Sequence, residues 1–564
     1  MERWCRRWFH TAMATDWTPD RCARVMAGVE EQDELTHVDL PAAMSGLRRR
    51  LGSGTDMTVE ALALAREAAV RASLGPVRPA HLTAAAVLCD GCVADVKDAA
   101  GRSMAAALAA CVYAVRHSDV HVVTGLQPAD RDFERFTPMY DRLGLRAALL
   151  ADRSTPEERK EAYGADVLYS PAYELCYDYV RDHLAWQVDE YVQRGRQVAI
   201  LDGIDDILIQ HGRSPAVVSR TESRPDQYRD SREHVPYLRP GEHFHVSGRQ
   251  ARLTPRGLDH LGLDHGVHPL TLIRRRRVEE ALVAAHCYHV NRDYTVRKGA
   301  VVGDVPAGIR HALEAKEGLE ITDETQTLGE TLPWDYYRTY DTLVGLSPTA
   351  GPHASMLDAL AGATVVMITH DDDVLPAPDG PTARSARQWI ADLLEFTEVR
   401  RMQRDTIYAR RRAALHGEDG DWVPGTLDSV VDRYVAMFHP DAHGLHRHLH
   451  DLYPTRLTED DLTGEREQVI ERVRTDAQAA LRRRRHDLGE DLAAEVARRV
   501  WISVTDRAWR EHLIALEYLS VGFVPEPSQD PRAHYKDLAA RLFYDTVERI
   551  REDSMGFLFN LDVT

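Results

Sequence analysis

The chain has 564 residues, with 70 lysines and arginines against 89 aspartates and glutamates, so its formal net charge at pH 7 is −19. This length is enough for three or more domains. The acidic balance argues against bulk nucleic-acid binding, which needs a basic face. No segment approaches the ~20 apolar residues of a membrane-spanning helix, and the first residues lack the apolar stretch of a secretory signal. We therefore expect a cytoplasmic protein with, at most, peripheral contact at the inner face of the cell membrane.

Residues 1–50 are helical in pattern and rich in charge, and nothing in them indicates a function. Alanines and leucines at helical spacing then predict an amphipathic helix from Val59 to Ala72. From there to Ser219, apolar strands alternate with helices, which is typical of a parallel α/β sheet. Ligands of such sheets bind at the carboxyl ends of the strands, and Asp202 lies at such an end.

The segment from Lys97 to Ser103 occupies the place of a phosphate-binding loop. A working loop needs glycines that let the backbone wrap a phosphate, a lysine that reaches the β- and γ-phosphates, and a hydroxyl group for Mg²⁺. Here Gly101 is the one glycine, Arg102 stands where lysine is needed, and Ser103 supplies a hydroxyl. We expect nucleotide binding through Gly101, Arg102, Ser103 and Asp202 to be degenerate.

Several segments carry a family resemblance through their order along the chain. Those in the predicted sheet domain are residues 120–124, 131–132, 177–182 and 199–209. They resemble the first nucleotide-binding domain of SecA, the ATP-driven motor of bacterial protein export. Residues 286–294, 314–318 and 324–328 are similar to its preprotein-crosslinking domain, and residues 403–408 and 506–513 to its helical scaffold.

The resemblance implies an α/β RecA-like parallel-sheet domain with an inserted α+β preprotein-crosslinking-like domain, followed by an all-α helical scaffold and wing domain. The expected divisions are an N-terminal helical segment at 1–50, the degenerate nucleotide-binding domain at 51–220 and 326–375, the insertion at 221–325, a linker at 376–382, and the scaffold and wing domain at 383–564.

The sequence departs from the family at the centres of its nucleotide motifs. The family's loop, threonine-glycine-glutamate-glycine-lysine-threonine, falls on residues 98–103, so Asp98 adds repulsion and Arg102 replaces an ammonium that a guanidinium does not mimic. The catalytic glutamate falls on Gly203, which cannot act as a general base, while Asp202 retains the metal-positioning carboxylate. No second RecA-like lobe follows residues 364–368. We expect ATPase activity to be lost and Arg102 to pair locally, with Asp98 or Asp202.

The first hypothesis for function is a SecA-like pseudo-ATPase that acts as a non-motor binding or adaptor module in protein export. It requires no cofactor. Its expected partners are preprotein segments, a full-length SecA or the Sec channel.

The second hypothesis is a repurposed enzyme, for example a lyase or cyclase, in which aspartates at two strand ends line a cleft. Such carboxylates raise one another's pKa or bind Mg²⁺, which suits a diphosphate or isoprenoid substrate. The metal ligands would include Asp371 and Asp372. The interpretation we prefer is that Asp371, Asp372 and Asp373 are a charged exit from a strand, and that Asp205 and Asp206 are surface or capping residues. The candidate residues are Asp202, Asp205, Asp206, Asp371, Asp372 and Asp373.

Three other patterns have a plainer interpretation. Cys89 and Cys92 have metal-ligand spacing, but no second pair follows, and the seven cysteines are odd in number, so reduced core thiols are favoured. The histidines between His439 and His450 predict a solvated loop rather than a metal site, because Pro440 and Gly444 interrupt the pattern. The arginine runs 274–277 and 482–485 predict solvated helix faces rather than contact with phospholipid headgroups.

Overall fold

The computed structural model describes residues 9–11, 19–31, 35–50, 57–124, 129–368, 381–418, 420–522 and 531–562. The chain divides into two compact units, one of residues 1–218 with 329–395 and the other of residues 219–328 with 396–564. The first unit contains the large sheet. The second contains two small hairpins and most of the long helices.

The strands of the described chain, numbered in order, are β1 (Phe9–Thr11), β2 (Val93–Asp95), β3 (Val120–Thr124), β4 (Ala147–Leu149), β5 (Val167–Pro171), β6 (Val198–Asp202), β7 (Ala216–Glu222), β8 (Phe244–Ser247), β9 (Gln250–Leu253), β10 (Thr295–Arg297), β11 (Ala300–Val302), β12 (Glu324–Thr331), β13 (Thr342–Ser347) and β14 (Val365–Ile368). Eight of them form one sheet in the order β1-β14-β2-β13-β6-β3-β5-β4. The others pair as β7 with β12, β8 with β9, and β10 with β11.

The α-helices of the described chain are α1 (Pro19–Glu30), α2 (Leu40–Arg50), α3 (Thr58–Arg71), α4 (Pro79–Cys89), α5 (Ala99–Arg116), α6 (Ala129–Arg142), α7 (Pro156–Ala162), α8 (Ala172–Leu184), α9 (Pro225–His234), α10 (Pro255–His260), α11 (Pro269–His286), α12 (Ala307–Glu317), α13 (Pro333–Tyr337), α14 (Ala354–Ala361), α15 (Pro381–His416), α16 (Val423–Phe438), α17 (Ala442–Leu452), α18 (Arg466–Leu488), α19 (Glu490–Gly522) and α20 (Pro531–Asn560).

The large sheet confirms the predicted α/β parallel-sheet domain. Seven of its strands are parallel to their neighbours, and only β1 runs antiparallel to β14. Strands β3 and β6 are buried along their whole length, as expected for parallel strands covered on both faces. The registers of β2, β13 and β6 place Asp95, Ser347 and Asp202 side by side at the carboxyl ends of these strands.

The helical pattern predicted for residues 1–50 is confirmed for α1 and α2 but is wrong for Phe9–Thr11. That segment is strand β1, in which Phe9 lies opposite Ile368 and Thr11 opposite Val366. The outer edge of β14 offers backbone groups that need partners, and an extended segment satisfies them. Pairing between residues so far apart in sequence is not visible in local spacing.

The helix predicted from Val59 to Ala72 is present as α3 and is amphipathic, as predicted. Residues Ala61–Ala65, Ala68 and Ala69 are buried, while Glu60, Arg66, Glu67 and Arg71 lie together on a partly exposed face. A helix of this kind turns its apolar face to the core and its polar face towards solvent. It packs in the same apolar cluster as α5 and the central strands.

The second unit matches the predicted α+β insertion and all-α scaffold. Its hairpins β8–β9 and β10–β11 pack with α11 and α12 around Phe244, Leu282 and Leu313. Helices α19 and α20 run antiparallel along one another. Two ion pairs connect them, Arg507 with Asp553 and Arg549 with Glu511.

The linker predicted at 376–382 ends before Pro381, two residues earlier than expected. Helix α15 begins at Pro381, so residues 381–382 are helical, while residues 376–380 lie outside the described chain. Proline is favoured at the first position of a helix because its missing N–H would have no partner there.

A buried ionic network holds α7 against α8 in the first unit. Arg159 donates to both carboxylate oxygens of Asp178, at 3.0 and 2.9 Å, and to Glu174 at 2.8 Å. Tyr163 donates its hydroxyl to Asp178 at 3.0 Å. The Asp178 side chain is 0 % exposed. Residues 177–182, which carry part of the family resemblance, therefore have a structural role in this chain.

The buried network predicts that Asp178→Asn lowers the free energy of unfolding of the first unit by about 3 kcal/mol, because Arg159 loses one of its two compensating charges inside the protein. Urea unfolding followed by hydrogen exchange of the α7 and α8 amides measures this. The control is Asp141→Asn, at an exposed position, which should change the same quantity by less than about 0.5 kcal/mol. Equal effects of the two substitutions would contradict the assignment.

Candidate functional site

The N-terminus of α5 is closed by a carboxylate of the chain itself. Asp98 is the N-cap residue, and its side chain accepts hydrogen bonds from the backbone N–H groups of Ala100 at 3.2 Å and Gly101 at 2.9 Å. Helix carbonyls cannot satisfy N–H groups in the first turn, which is why helix N-termini bind phosphates. Asp98 places its negative charge where a phosphate would need to be.

Arg102 occupies the rest of the loop. Its Nε donates to Oδ1 of Asp202 at 3.0 Å, and its Nη1 donates to the carbonyl oxygens of Val96 and Lys97, at 3.2 Å each. The Arg102 side chain is only 12 % exposed. The expected local pairing of Arg102 is therefore made with Asp202 and not with Asp98. Its charge is neutralised within the site.

Asp202 lies at the end of β6, as predicted, and is nearly buried. Burial raises the pKa of its carboxyl group, and the charge and hydrogen bond of Arg102 oppose that rise. A metal ion at Asp202 would have to displace the arginine. Ser103, the remaining candidate for a Mg²⁺ hydroxyl ligand, is buried within α5.

Gly203 has a backbone requirement of its own. Its φ is +89°, in the region that favours glycine. The position expected to carry the general base therefore follows Asp202 in a conformation that disfavours any side chain. Restoring a glutamate here would strain the backbone.

Asp205 is held by residues that follow β13. Thr349 donates its hydroxyl to Oδ2 of Asp205, and Nδ1 of His353 lies 3.5 Å from the same oxygen. Burial acts to raise the pKa of Asp205, but the nearby His353, Ser347 and Thr349 side chains outweigh it and lower the pKa well below its usual range. The adjacent Asp205 carboxylate raises the pKa of His353.

The three described aspartates of the enzyme hypothesis have separate partners. Asp202 pairs with Arg102, Asp205 with His353, and Asp206 lies 3.4 Å from Nε2 of His211. Burial raises the pKa of Asp206. Over the described ranges, no three His, Cys, Asp or Glu side chains are placed to hold a metal ion.

Asp371, Asp372 and Asp373 lie outside the described residues. The carboxylate cleft, with its Mg²⁺ ligands Asp371 and Asp372, therefore stays a prediction.

Sequence reasoning missed Asp95 and His353 as parts of this edge of the sheet. Asp95, buried at the end of β2, accepts from Nζ of Lys97 at 2.8 Å and from the backbone N–H of Gly351 at 2.7 Å. Lys97 also donates to the carbonyl oxygen of Pro348. An acidic residue ending a short apolar strand was a usable signal for Asp95. Nothing local marks His353.

The loop predicted around the histidine group is wrong. Asp441 caps α17 by accepting from the N–H of Gly444 at 3.0 Å, so Gly444 lies in the first turn of a helix and does not break it. His443 contacts Glu459 at 2.8 Å, and His446 donates to the carbonyl oxygen of Leu457. These histidines have individual partners rather than a shared ligand.

The other two patterns follow their plainer interpretations in part. Cys89 and Cys92 are both buried. The arginine run 274–277 is not a freely solvated face, because Arg275, Arg276 and Arg277 pair with carboxylates of Glu279 and Glu280 on the same helix.

The Asp205–His353 pair predicts a pH-dependent contribution to stability. The pKa of His353 is raised from its usual 6.5, so its stabilisation is complete below that pH and is lost as the pH rises through the folded value. The pKa of Asp205 is lowered from 3.8, so its stabilisation is lost only when the pH falls through the folded value. We expect His353→Gln to lower the free energy of unfolding by about 1 kcal/mol near pH 6 and by almost nothing near pH 9. Denaturant titrations of the two proteins across this range measure the difference, and a difference that grows with pH would contradict the pairing.

No helix of the described chain combines the length and apolar character needed to cross a membrane.

Two models of known protein families match successive parts of the chain. The family model of the SecA DEAD-like domain matches residues 15–358, and that of the SecA Wing and Scaffold domain matches residues 388–562.

Individual relatives agree. The chain is 33% identical over 397 residues to protein translocase subunit SecA 1 of Corynebacterium diphtheriae, a match that covers 66% of this chain and 45% of the relative. It is 32% identical over 362 residues to protein translocase subunit SecA of Nitratidesulfovibrio vulgaris, covering 60% of this chain and 43% of the relative. For SecA 1 of Mycolicibacterium paratuberculosis the identity is 32% over 362 residues, covering 60% and 38%.

The matched region thus spans less than half the length of each of these relatives. The first family model alone accounts for more than half of the chain. With the SecA DEAD-like model followed along the chain by the SecA Wing and Scaffold model, the chain belongs to the SecA family.

Proposed function

We propose that this protein is a SecA-family pseudo-ATPase that acts as a non-motor binding or adaptor module in protein export. The observation that carries the proposal is the Asp98 carboxylate on the N–H groups of Ala100 and Gly101. A bound nucleotide would have to displace this internal anion and would meet its charge.

The residues present do not fit a nucleoside triphosphate with Mg²⁺. The backbone donors are occupied by Asp98, the cations of the loop are paired with Asp202 (Arg102) and Asp95 (Lys97), and Gly203 offers no carboxylate to activate water. Phosphoryl transfer depends on positioned cations and a positioned water. The chain has redirected or lost both, so we derive no hydrolytic step.

The chain also has no room for a second lobe after β14. Strand β14 ends at Ile368 and α15 begins at Pro381, so residues 369–380 are too few for a domain. The two family models are likewise separated only by residues 359–387. Without a facing lobe, the remains of the nucleotide site cannot drive opening and closing between two domains.

The parts that remain indicate binding rather than force generation. The insertion and the scaffold are retained and packed, and the similar proteins are named protein translocase subunits. We therefore propose partners of the same kind, namely a preprotein segment, a complete SecA or the Sec channel, met at the cytoplasmic side of the membrane. No observation on the described residues favours the enzyme alternative.

The proposed function predicts no ATP turnover. Steady-state phosphate release by the wild-type chain should equal that of an Asp202→Ala control, because no catalytic carboxylate or facing lobe is available. Release from the wild type that clearly exceeds the control, with or without Mg²⁺, would sink the pseudo-ATPase assignment.

The adaptor role predicts retention of at least one purified export component by the immobilised full chain. The components to test are an unfolded preprotein with its signal segment, a complete SecA, and the Sec channel in detergent, each against an unrelated unfolded protein as the control. Retention should not change when ATP is added, because the chain has no competent nucleotide site. Failure to retain any component above the control would count against the role, whatever the ATPase result.

A further inference from the structure

A cavity of about 620 Å³ lies in the helical scaffold, where the ends of five helices meet. Its walls come from the C-terminal ends of α15, α18 and α20 and from the N-terminal ends of α16 and α19. Cavities of roughly 300–1,000 Å³ are the usual size for sites that hold small organic molecules. Neither the nucleotide motifs nor the proposed export role accounts for this cavity.

The cavity has an apolar wall with one aromatic face. Leu481, Ala497 and Leu558 line it and are buried. Trp422, at the N-cap of α16, also lines it, and its ring is fixed by contact with Trp501 at a centroid distance of 4.6 Å. An indole face held in place offers an apolar surface that also attracts cations.

Each arginine that lines the cavity already has a partner. Arg485 donates to both carboxylate oxygens of Asp421, at 2.8 and 2.5 Å. Arg498 pairs with Glu495 at 2.6 Å. Arg484 donates to the carbonyl oxygen of Leu558 at 3.1 Å, in the last turn of α20. Arg485 and Arg498 are therefore neutralised by carboxylates, while Arg484 is held by a backbone oxygen.

The negative charge is not fully committed. Glu490 and Asp491, in the first turn of α19, line the cavity and are exposed, and neither makes an ion pair within the described chain. Glu490 also interacts electrostatically with Arg485, whose main partner is Asp421. The cavity is also faced by three helix C-termini, which carry partial negative charge, against two N-termini. These charges thus favour a positively charged group in the part of the cavity that Glu490 and Asp491 line.

From this combination we propose that the scaffold cavity binds a small organic cation with an apolar body, of the alkylammonium class. The ammonium group lies near Glu490 and Asp491 and over the face of Trp422. The alkyl chain lies along Leu481, Ala497 and Leu558. An anion of the same shape is disfavoured, because four carboxylates line the cavity (Asp421, Glu490, Asp491 and Glu495) against three arginines.

Titration calorimetry on the full chain tests the proposal with matched probes. Octyltrimethylammonium should bind saturably at one site, and the affinity should fall as salt is raised, since part of the attraction is between exposed charges. Octanoate has a chain of the same class with the opposite charge and should bind at least about tenfold more weakly. Choline has the head group without the chain and should also bind weakly, because the apolar wall contributes nothing to it.

Two variants locate the site. The double change Glu490→Gln with Asp491→Asn should weaken octyltrimethylammonium about tenfold without lowering the melting temperature. Ala494→Phe, at an exposed position of the cavity wall, should block binding by filling the space. The control Asp226→Asn, on a carboxylate that is 86 % exposed and does not line the cavity, should leave the affinity unchanged.

The proposal is overturned if octanoate binds as tightly as the ammonium, if the double variant matches the wild type, or if no probe binds saturably. An unchanged affinity in Ala494→Phe with a normal melting curve would also overturn it, because binding would then lie elsewhere. None of these outcomes depends on whether the chain retains an export component.

Discussion

The arrangement of the nucleotide-site remnant depends on one interaction, the Asp98 carboxylate on the N-terminus of α5. That helix end has backbone donors without helix partners and a partial positive charge, and both call for an anion. In a phosphate-binding loop the ligand supplies it. Here the chain does, with hydrogen bonds of 3.2 and 2.9 Å to Ala100 and Gly101. Because the anion is part of the chain, the loop is satisfied without any ligand.

The other polar groups at the carboxyl ends of β2, β6 and β13 are also satisfied by groups of the chain itself. Arg102 turns to Asp202, Asp95 holds Lys97 and Gly351, and Asp205 holds His353. Buried carboxylates at strand ends are costly unless paired, and here each has a partner within the chain. These pairs join the ends of β2, β6 and β13 to the segments that follow them. Under the proposed pseudo-ATPase role, they would let the fold persist without the chemistry of the family.

Much of the fold could be predicted, because parallel strands buried on both faces leave unbroken apolar runs such as those of β3 and β6. The same topology predicts that Asp202 lies at a strand end, where Arg102 can reach it. The sequence interpretation gave Asp98 only the role of repelling a phosphate. An aspartate before a run of alanines is also a helix N-cap pattern. His353 and β1 could not be found, since both depend on contacts between segments far apart in the chain. In α17 the N-cap contact between Asp441 and Gly444 overrode the expected helix break.

The central claim, that the chain's own anion and arginine exclude nucleotide, is tested most directly by calorimetric titration of ADP with Mg²⁺ into the full-length wild-type chain and into Arg102→Lys. The account predicts no saturable binding in either protein up to millimolar nucleotide, because restoring the lysine leaves Asp98 on the backbone donors and Gly203 in place. Saturable binding with micromolar affinity in either protein would show that the loop backbone is still competent for phosphate, and would contradict the account.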